Sequence, residues 1–125
     1  MLFRSVHWGE WSLGDNCFVF ENNVIQPFVR LGNDVILWSG NHVGHDATVG
    51  DHCFITSHVV ISGRATVGDY CFIGVNSTLR DGVSVGPESV VGAGAVVLKD
   101  VGPASVLKGQ AAELSPVPSH RLKAI

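Results

Sequence analysis

The chain lacks most of what marks a nucleic-acid-binding, membrane or secreted protein. It has no basic run, and its net charge is −3, so it offers no electrostatic footprint for nucleic acid. No stretch approaches the roughly eighteen apolar residues that a membrane span needs. Nothing near Met1 reads as a secretory signal, because Arg4, His7, Glu10 and Asp15 interrupt any apolar run. Cytoplasm is therefore the expected compartment. Cysteine is scarce and odd in number, with Cys17, Cys53 and Cys71 only. These read as small core residues rather than as a disulfide or metal site. At 125 residues, a single domain spanning 1–125 is expected.

What the chain does have is a rhythm. An aliphatic residue recurs at every sixth position, fifteen times: Leu13, Val19, Ile25, Leu31, Leu37, Val43, Val49, Ile55, Ile61, Val67, Ile73, Leu79, Val85, Val91 and Val97. Neither an amphipathic helix nor a simple hairpin sheet needs that period; a hexapeptide-repeat β-solenoid does. The chain also nearly repeats itself every eighteen residues, as in Val49-Gly50-Asp51-His52-Cys53-Phe54 and Val67-Gly68-Asp69-Tyr70-Cys71-Phe72. One coil thus has three short strands and three corners. Residues 13–102 make about five coils of an all-β solenoid, about 24 Å tall at the inter-strand spacing.

Strand alternation assigns each hexad position a direction. If the aliphatic is position one, position five also points inward, and it carries small or medium residues such as Cys17, Asn23, Val35, Asn41, Ala47 and Val101. Positions three and four form the corner and are rich in Asp, Asn, Gly and His, which tolerate turns and left-handed backbone. Asn23 and Asn41, one coil apart, read as a stacked amide ladder. Residues 1–12 fit the repeat poorly and read as a ragged cap, with Trp8 and Trp11 over the open end of the solenoid. Residues 103–125 read as a tail.

The outward position six describes three faces. One reads Phe18, Ile36, Phe54, Phe72, Val90, the next Val24, His42, Val60, Thr78, Val96, and the third Arg30, Thr48, Thr66, Ser84, Gly102. Two faces are apolar and one is polar. Exposed apolar stripes mark association, and a prism with two such faces suits a closed threefold ring, so a homotrimer is expected.

Four of the six histidines lie between positions 42 and 58. His45 is at a corner beside Asp46, and one coil further on the stacked residue is Gly63. A glycine there leaves an open notch where a backbone N–H approaches a ligand closely. A base beside a free N–H donor is the minimum equipment for acyl transfer. His42 would line an intersubunit groove, and His58, on another corner, would reach a neighbour's site. His52 reads as solvated.

The hexads, the run Trp38-Ser39-Gly40-Asn41-His42-Val43-Gly44-His45-Asp46 and the later Gly92-Ala93-Gly94-Ala95-Val96-Val97 resemble the left-handed β-helix acyltransferases. The likeness is greatest to the sugar O/N-acyltransferases of the sialic-acid O-acetyltransferase family, over residues 13–110. The resemblance implies a left-handed coil and a trimer with its sites in the grooves between subunits. It implies acetyl-CoA as co-substrate, a sugar or nucleotide-linked sugar as acceptor, and no metal. It implies His45 as base, Asp46 as its acidic neighbour and the Gly63 N–H at the thioester. Gly82, Ala93 and Gly94 would let the pantetheine arm lie close, with Lys99 or Lys108 near the CoA phosphates. Asn41, His42 and His58 would meet the acceptor.

Two departures accompany this likeness. Many members carry an N-terminal nucleotide-sugar domain, for which 125 residues leave no room; the first coils or a neighbouring subunit would have to bind such an acceptor. Some members have a second histidine nine residues after the base, where this chain has Phe54. Two other readings are a zinc enzyme of the γ-class carbonic anhydrase type, whose paired histidines lie five residues apart, a spacing absent here, and a non-catalytic trimeric scaffold.

Overall fold

A computed structural model describes residues 5–7 and 9–123; Trp8, expected in the N-terminal cap, lies outside the described residues. The strands are two residues long and occupy positions six and one of each hexad. They pair in parallel with the strands one coil away, as His42↔Val60 and Ile61↔Val43 illustrate. Three sheets of six, five and six strands enclose the core, a parallel β-helix of about six turns. The phenylalanine face runs from Phe18–Val19 to Val106–Leu107, the histidine face from Val6–His7 to Val96–Val97, and the polar face from Ser12–Leu13 to Ser84–Val85.

The corners explain the composition of the hexad. Position four takes left-handed backbone in coil after coil, with φ of 57° at Asn16, 59° at Asp46 and 74° at Gly82. Asn, Asp and Gly enter that region at little cost. Each corner also closes a backbone ladder to the next coil, as when Gly44 N–H donates to Ile61 C=O at 2.7 Å.

Inside, fourteen of the fifteen recurring aliphatics are buried, from Val19 to Val97. Leu13 is 38% exposed because the coil beneath it is incomplete. Position five is buried as expected. Each of the three cysteine thiols donates to a glycine carbonyl of the next coil: Cys17 to Gly32, Cys53 to Gly68 and Cys71 to Gly86, at 3.0–3.2 Å. A small donor in a crowded corner thereby satisfies a carbonyl. The amide ladder forms: Asn41 N–H and Nδ2 both donate to Asn23 Oδ1, and Asn41 Oδ1 accepts from Val59 N–H at 2.8 Å.

The coils start earlier and end later than the repeat alone indicates. Val6–His7 pairs with Val24–Ile25, and Ser12–Leu13 pairs with Arg30–Leu31, so the expected cap already belongs to the sheets. Trp11 is half-buried against the core, its ring 5.1 Å from that of His7. At the other end the repeat shortens from eighteen residues to sixteen: Val101 bridges to Val85, and Leu107 pairs with Val91. Val101 thus takes the aliphatic position rather than position five. The missing corner residues are compensated by Asp100, whose Oδ1 accepts from Ser84 N–H at 2.8 Å. Beyond Gln110 the described residues are exposed. The apolar faces keep Phe72 42%, Val90 41% and Val96 62% exposed, so the tail does not cover them.

Candidate active site

Three corner columns run up the prism. Between the histidine and polar faces, stacking at eighteen residues places His45, Gly63 and Asp81 in one column, with Asp46, Arg64 and Gly82 beside them. His45 Nδ1 lies 3.0 Å from Asp46 Oδ2, and both side chains are half exposed. The backbone holds both in place. His45 N–H donates to Gln26 Oε1 at 2.9 Å, Asp46 N–H to Pro27 C=O at 3.0 Å, and His45 C=O accepts from Arg64 N–H at 2.8 Å. With Nδ1–H donated to the carboxylate, Nε2 is the free, basic nitrogen.

Nε2 points at Gly63. A Cβ on Gly63 would lie 2.6 Å from His45 Nε2 and 2.9 Å from Asp81 Oδ1. The expected notch exists only because the residue is glycine, but it is not open. The imidazole and the Asp81 carboxylate lean into it, and Gly63 is buried beneath them. Asp81 is held by Arg64 at 2.5 Å, an ion pair that sequence reading missed; its signal was opposite charges seventeen residues apart at adjoining corner positions. Gly63 N–H has no acceptor among the described residues. Other third-position N–H groups are also free; what singles out Gly63 is the base beside it. One coil above Arg64, an added Cβ on Gly82 meets nothing within 4 Å, so the column beside Gly63 is open there, while Asp81 stands over Gly63 itself.

The remaining candidates fall elsewhere. His42 is half-buried on the histidine face between Val24 and Val60. His58 stands at the opposite edge of that face, its ring over Gly40. Ala93 and Gly94 stack on this second corner, and Lys108 follows the strand that pairs with Val90–Val91. Within one chain the structure therefore joins His45, Asp46, Gly63 and Gly82, and separates them from His58, Ala93, Gly94 and Lys108 by the width of the histidine face. Asn41 must be withdrawn from the acceptor site. It is 1% exposed, and the ladder uses its amide. His52 is exposed on the third corner, with Nδ1 3.1 Å from Asp34 Oδ2 and its ring stacked 4.6 Å from Tyr70. Phe54 packs edge-on against Trp38 at 5.1 Å.

Sequence reading also missed a cavity of about 410 Å³ below His45, lined by Glu10, Trp11, Ser12, Phe28, Val29 and Arg30. Its signals were a phenylalanine at a corner position that elsewhere favours Asn, Asp, Gly or His, and an arginine on the polar face.

Comparisons with known proteins agree with the fold. The repeat described as bacterial transferase hexapeptide (six repeats) matches residues 29–63, and the hexapeptide repeat of succinyl-transferase matches residues 64–99. No curated protein sequence matches. Among solved structures, a perosamine N-acetyltransferase from Caulobacter crescentus in complex with CoA and GDP-perosamine superimposes with a TM-score of 0.83 and 26% identity, over 87% of this chain and 54% of that one. The acetyltransferase domain of PglB from Neisseria gonorrhoeae gives 0.76 and 26%, over 78% and 48%. A UDP-N-acetylglucosamine acyltransferase from Campylobacter jejuni, at 19% identity and a TM-score of 0.72 over 74% of this chain and 40% of that one, shares the fold. The chain spans about half the length of the first two relatives.

Proposed function

We propose that this chain, which belongs to the hexapeptide-repeat transferases, is an acyl-CoA-dependent acyltransferase acting on an amino or hydroxyl group of a sugar or nucleotide-linked sugar. One observation carries the reading: an imidazole fixed by a carboxylate at Nδ1 directs Nε2 at a glycine whose N–H is free. Two solved relatives at 26% identity are acetyltransferases by name, one of them a perosamine N-acetyltransferase, which favours acetyl-CoA as the donor.

In this mechanism the imidazole swings off Gly63 as the thioester enters. The acceptor nitrogen or oxygen attacks the thioester carbonyl carbon while His45 Nε2 takes its proton. Gly63 N–H donates to the developing oxyanion, and Asp46 stabilises the imidazolium. The tetrahedral intermediate collapses, the C–S bond breaks, and the leaving CoA sulfur recovers the proton from His45. The pantetheine arm lies over Gly82, where the surface is bare.

The protein acts as a homotrimer in this reading. The apolar phenylalanine and histidine faces remain exposed, and a ring that buries both sets one subunit's His45 corner against the phenylalanine face of a neighbour. Cytoplasm is the compartment that such substrates require; among the described residues no helix is long and apolar enough to cross a membrane.

The test is turnover of His45→Gln at saturating acyl-CoA. The mechanism predicts a fall on the order of 10²–10⁴-fold for a hydroxyl acceptor, with acyl-CoA still bound. Turnover near the wild-type level contradicts it.

A further inference from the structure

We infer that Arg64 is a positioning residue that keeps the Gly63 N–H open to the thioester, by drawing the Asp81 carboxylate off that donor. The inference rests on the transferase reading.

The third corner shows what such a carboxylate does when nothing restrains it. There the third hexad position carries Asp15, Asn33, Asp51 and Asp69, stacked at eighteen residues. From Asn33 upward, each side chain turns down to the backbone of the coil beneath. Asn33 Oδ1 accepts from Asp15 N–H, Asp51 Oδ1 from Asn33 N–H and Asp69 Oδ1 from Asp51 N–H, at 2.7–2.8 Å. A corner N–H that the strand ladder leaves unpaired is thus met by the side chain one coil above it.

Asp81 stands in the same relation to Gly63, at the third position eighteen residues on. By the pattern of the third corner its carboxylate belongs on the Gly63 N–H, yet it makes no such bond. Among the described residues, Asp81 is the one third-position Asp or Asn above another coil that leaves the N–H beneath it without an acceptor.

The cause is Arg64. Its Nη2 donates to Asp81 Oδ2 at 2.5 Å, and its own N–H is anchored on the His45 carbonyl at 2.8 Å. Asp81 Oδ1 is left at the edge of the notch, 2.9 Å from the point where a Gly63 Cβ would lie. Release by the guanidinium would let it turn onto the N–H, as its counterparts do. Two effects on acyl transfer follow. A carboxylate on the N–H would occupy the donor that the oxyanion needs. Its charge would also repel the oxyanion, and the paired guanidinium offsets that charge. The pair adds little to stability, because its side chains are 63% and 50% exposed. Its effect is on the donor beneath.

The test uses two readouts on wild type, Arg64→Gln, Asp81→Asn and the double variant Arg64→Gln/Asp81→Ala. The first is the Gly63 amide resonance and its hydrogen exchange by NMR. The second is calorimetric affinity for acetyl-CoA and for free CoA, which lacks the thioester carbonyl. In Arg64→Gln the Gly63 amide proton should move downfield and exchange more slowly. Acetyl-CoA affinity should fall about fivefold, the worth of one hydrogen bond, while free CoA affinity and Tm hold. Asp81→Asn should behave likewise, because Asn33 shows that an amide oxygen caps as well. The double variant, with no oxygen left to turn, should recover both the amide resonance and acetyl-CoA affinity. If the Gly63 amide is unmoved in Arg64→Gln, or the double variant recovers neither, the proposal is overturned and the transferase reading stands. If Arg64→Gln weakens free CoA as much as acetyl-CoA, Arg64 touches the cofactor directly and the proposal is likewise overturned. If wild type binds neither, the transferase reading itself falls, and this inference falls with it.

Discussion

His45 Nε2 lies 2.6 Å from the point where a side chain on Gly63 would begin. Two residues eighteen positions apart are thus fitted to each other, and the imidazole occupies the space that the glycine leaves. Gly63 has no left-handed φ, so its requirement is for space rather than for backbone freedom. The atoms that an added methyl would meet are the ends of two flexible side chains, His45 and Asp81.

Gly63→Ala is therefore expected to fold with a Tm within a few degrees of wild type, while kcat/KM falls about 10²-fold, since a displacement of about 1 Å at a reacting group costs that much. Thermal melting together with steady-state kinetics checks this. A large loss of Tm would instead make the glycine structural.

Asn41 leads to the opposite expectation. Its amide bridges Asn23 and Val59 N–H inside the core, and Asn41→Ala leaves buried partners unpaired. Each such group costs about 1–3 kcal/mol, so denaturant unfolding should show a loss of several kcal/mol. Substrate KM of the folded fraction should be unchanged; a KM effect without a stability effect would return Asn41 to the site.

The thiols are predicted to be inert in the native state. The neighbouring Cys71 sulfur and burial push the Cys53 thiol up, whereas the neighbouring Cys53 pulls Cys71 down. Access decides the outcome, because both are at most 2% exposed and reaction needs an exposed thiolate. A disulfide-exchange reagent at pH 8 should label none of Cys17, Cys53 and Cys71 until denaturant is added. Rapid native labelling of Cys71 would contradict the rigid core.

The phenylalanine face should carry the association. Phe72 is 42% exposed, its ring 5.5 Å from that of Phe54. Phe72→Asp places a charge in the subunit contact without disturbing the interior. Light scattering should show a trimer for the wild type and a monomer for the variant, with acyl-CoA binding lost in parallel. A wild-type monomer that binds acyl-CoA would overturn the groove.

Much of this molecule was legible in its residues because the repeat uses one physical rule per position. The aliphatic set, the inward small set and the left-handed corners follow from strand alternation and from the cost of φ > 0, and they placed His45, Asp46 and Gly63 on one corner. What escaped has equally physical causes. The slip at Val101 removes two corner residues, which in sequence looks like decay of the pattern rather than a tighter coil. Val6–His7 joined a sheet although His7 stands where the repeat calls for an aliphatic, because backbone pairing does not require one there. Asn41 occupies an inward position, and its place in a motif obscured that. The cavity joins Phe28 and Arg30 to Glu10, Trp11 and Ser12, residues that only the coil's return brings together. The filled notch at Gly63 depends on a rotamer, which no spacing encodes.

The central claim is that the corner above His45 receives an acyl-CoA. Calorimetric titration of acetyl-CoA into the protein at known oligomeric state tests it most directly. The account predicts saturable binding with a stoichiometry of one site per chain, weakened when Gly82 is replaced by a bulky residue. A well-folded trimer that takes up no acetyl-CoA would contradict it.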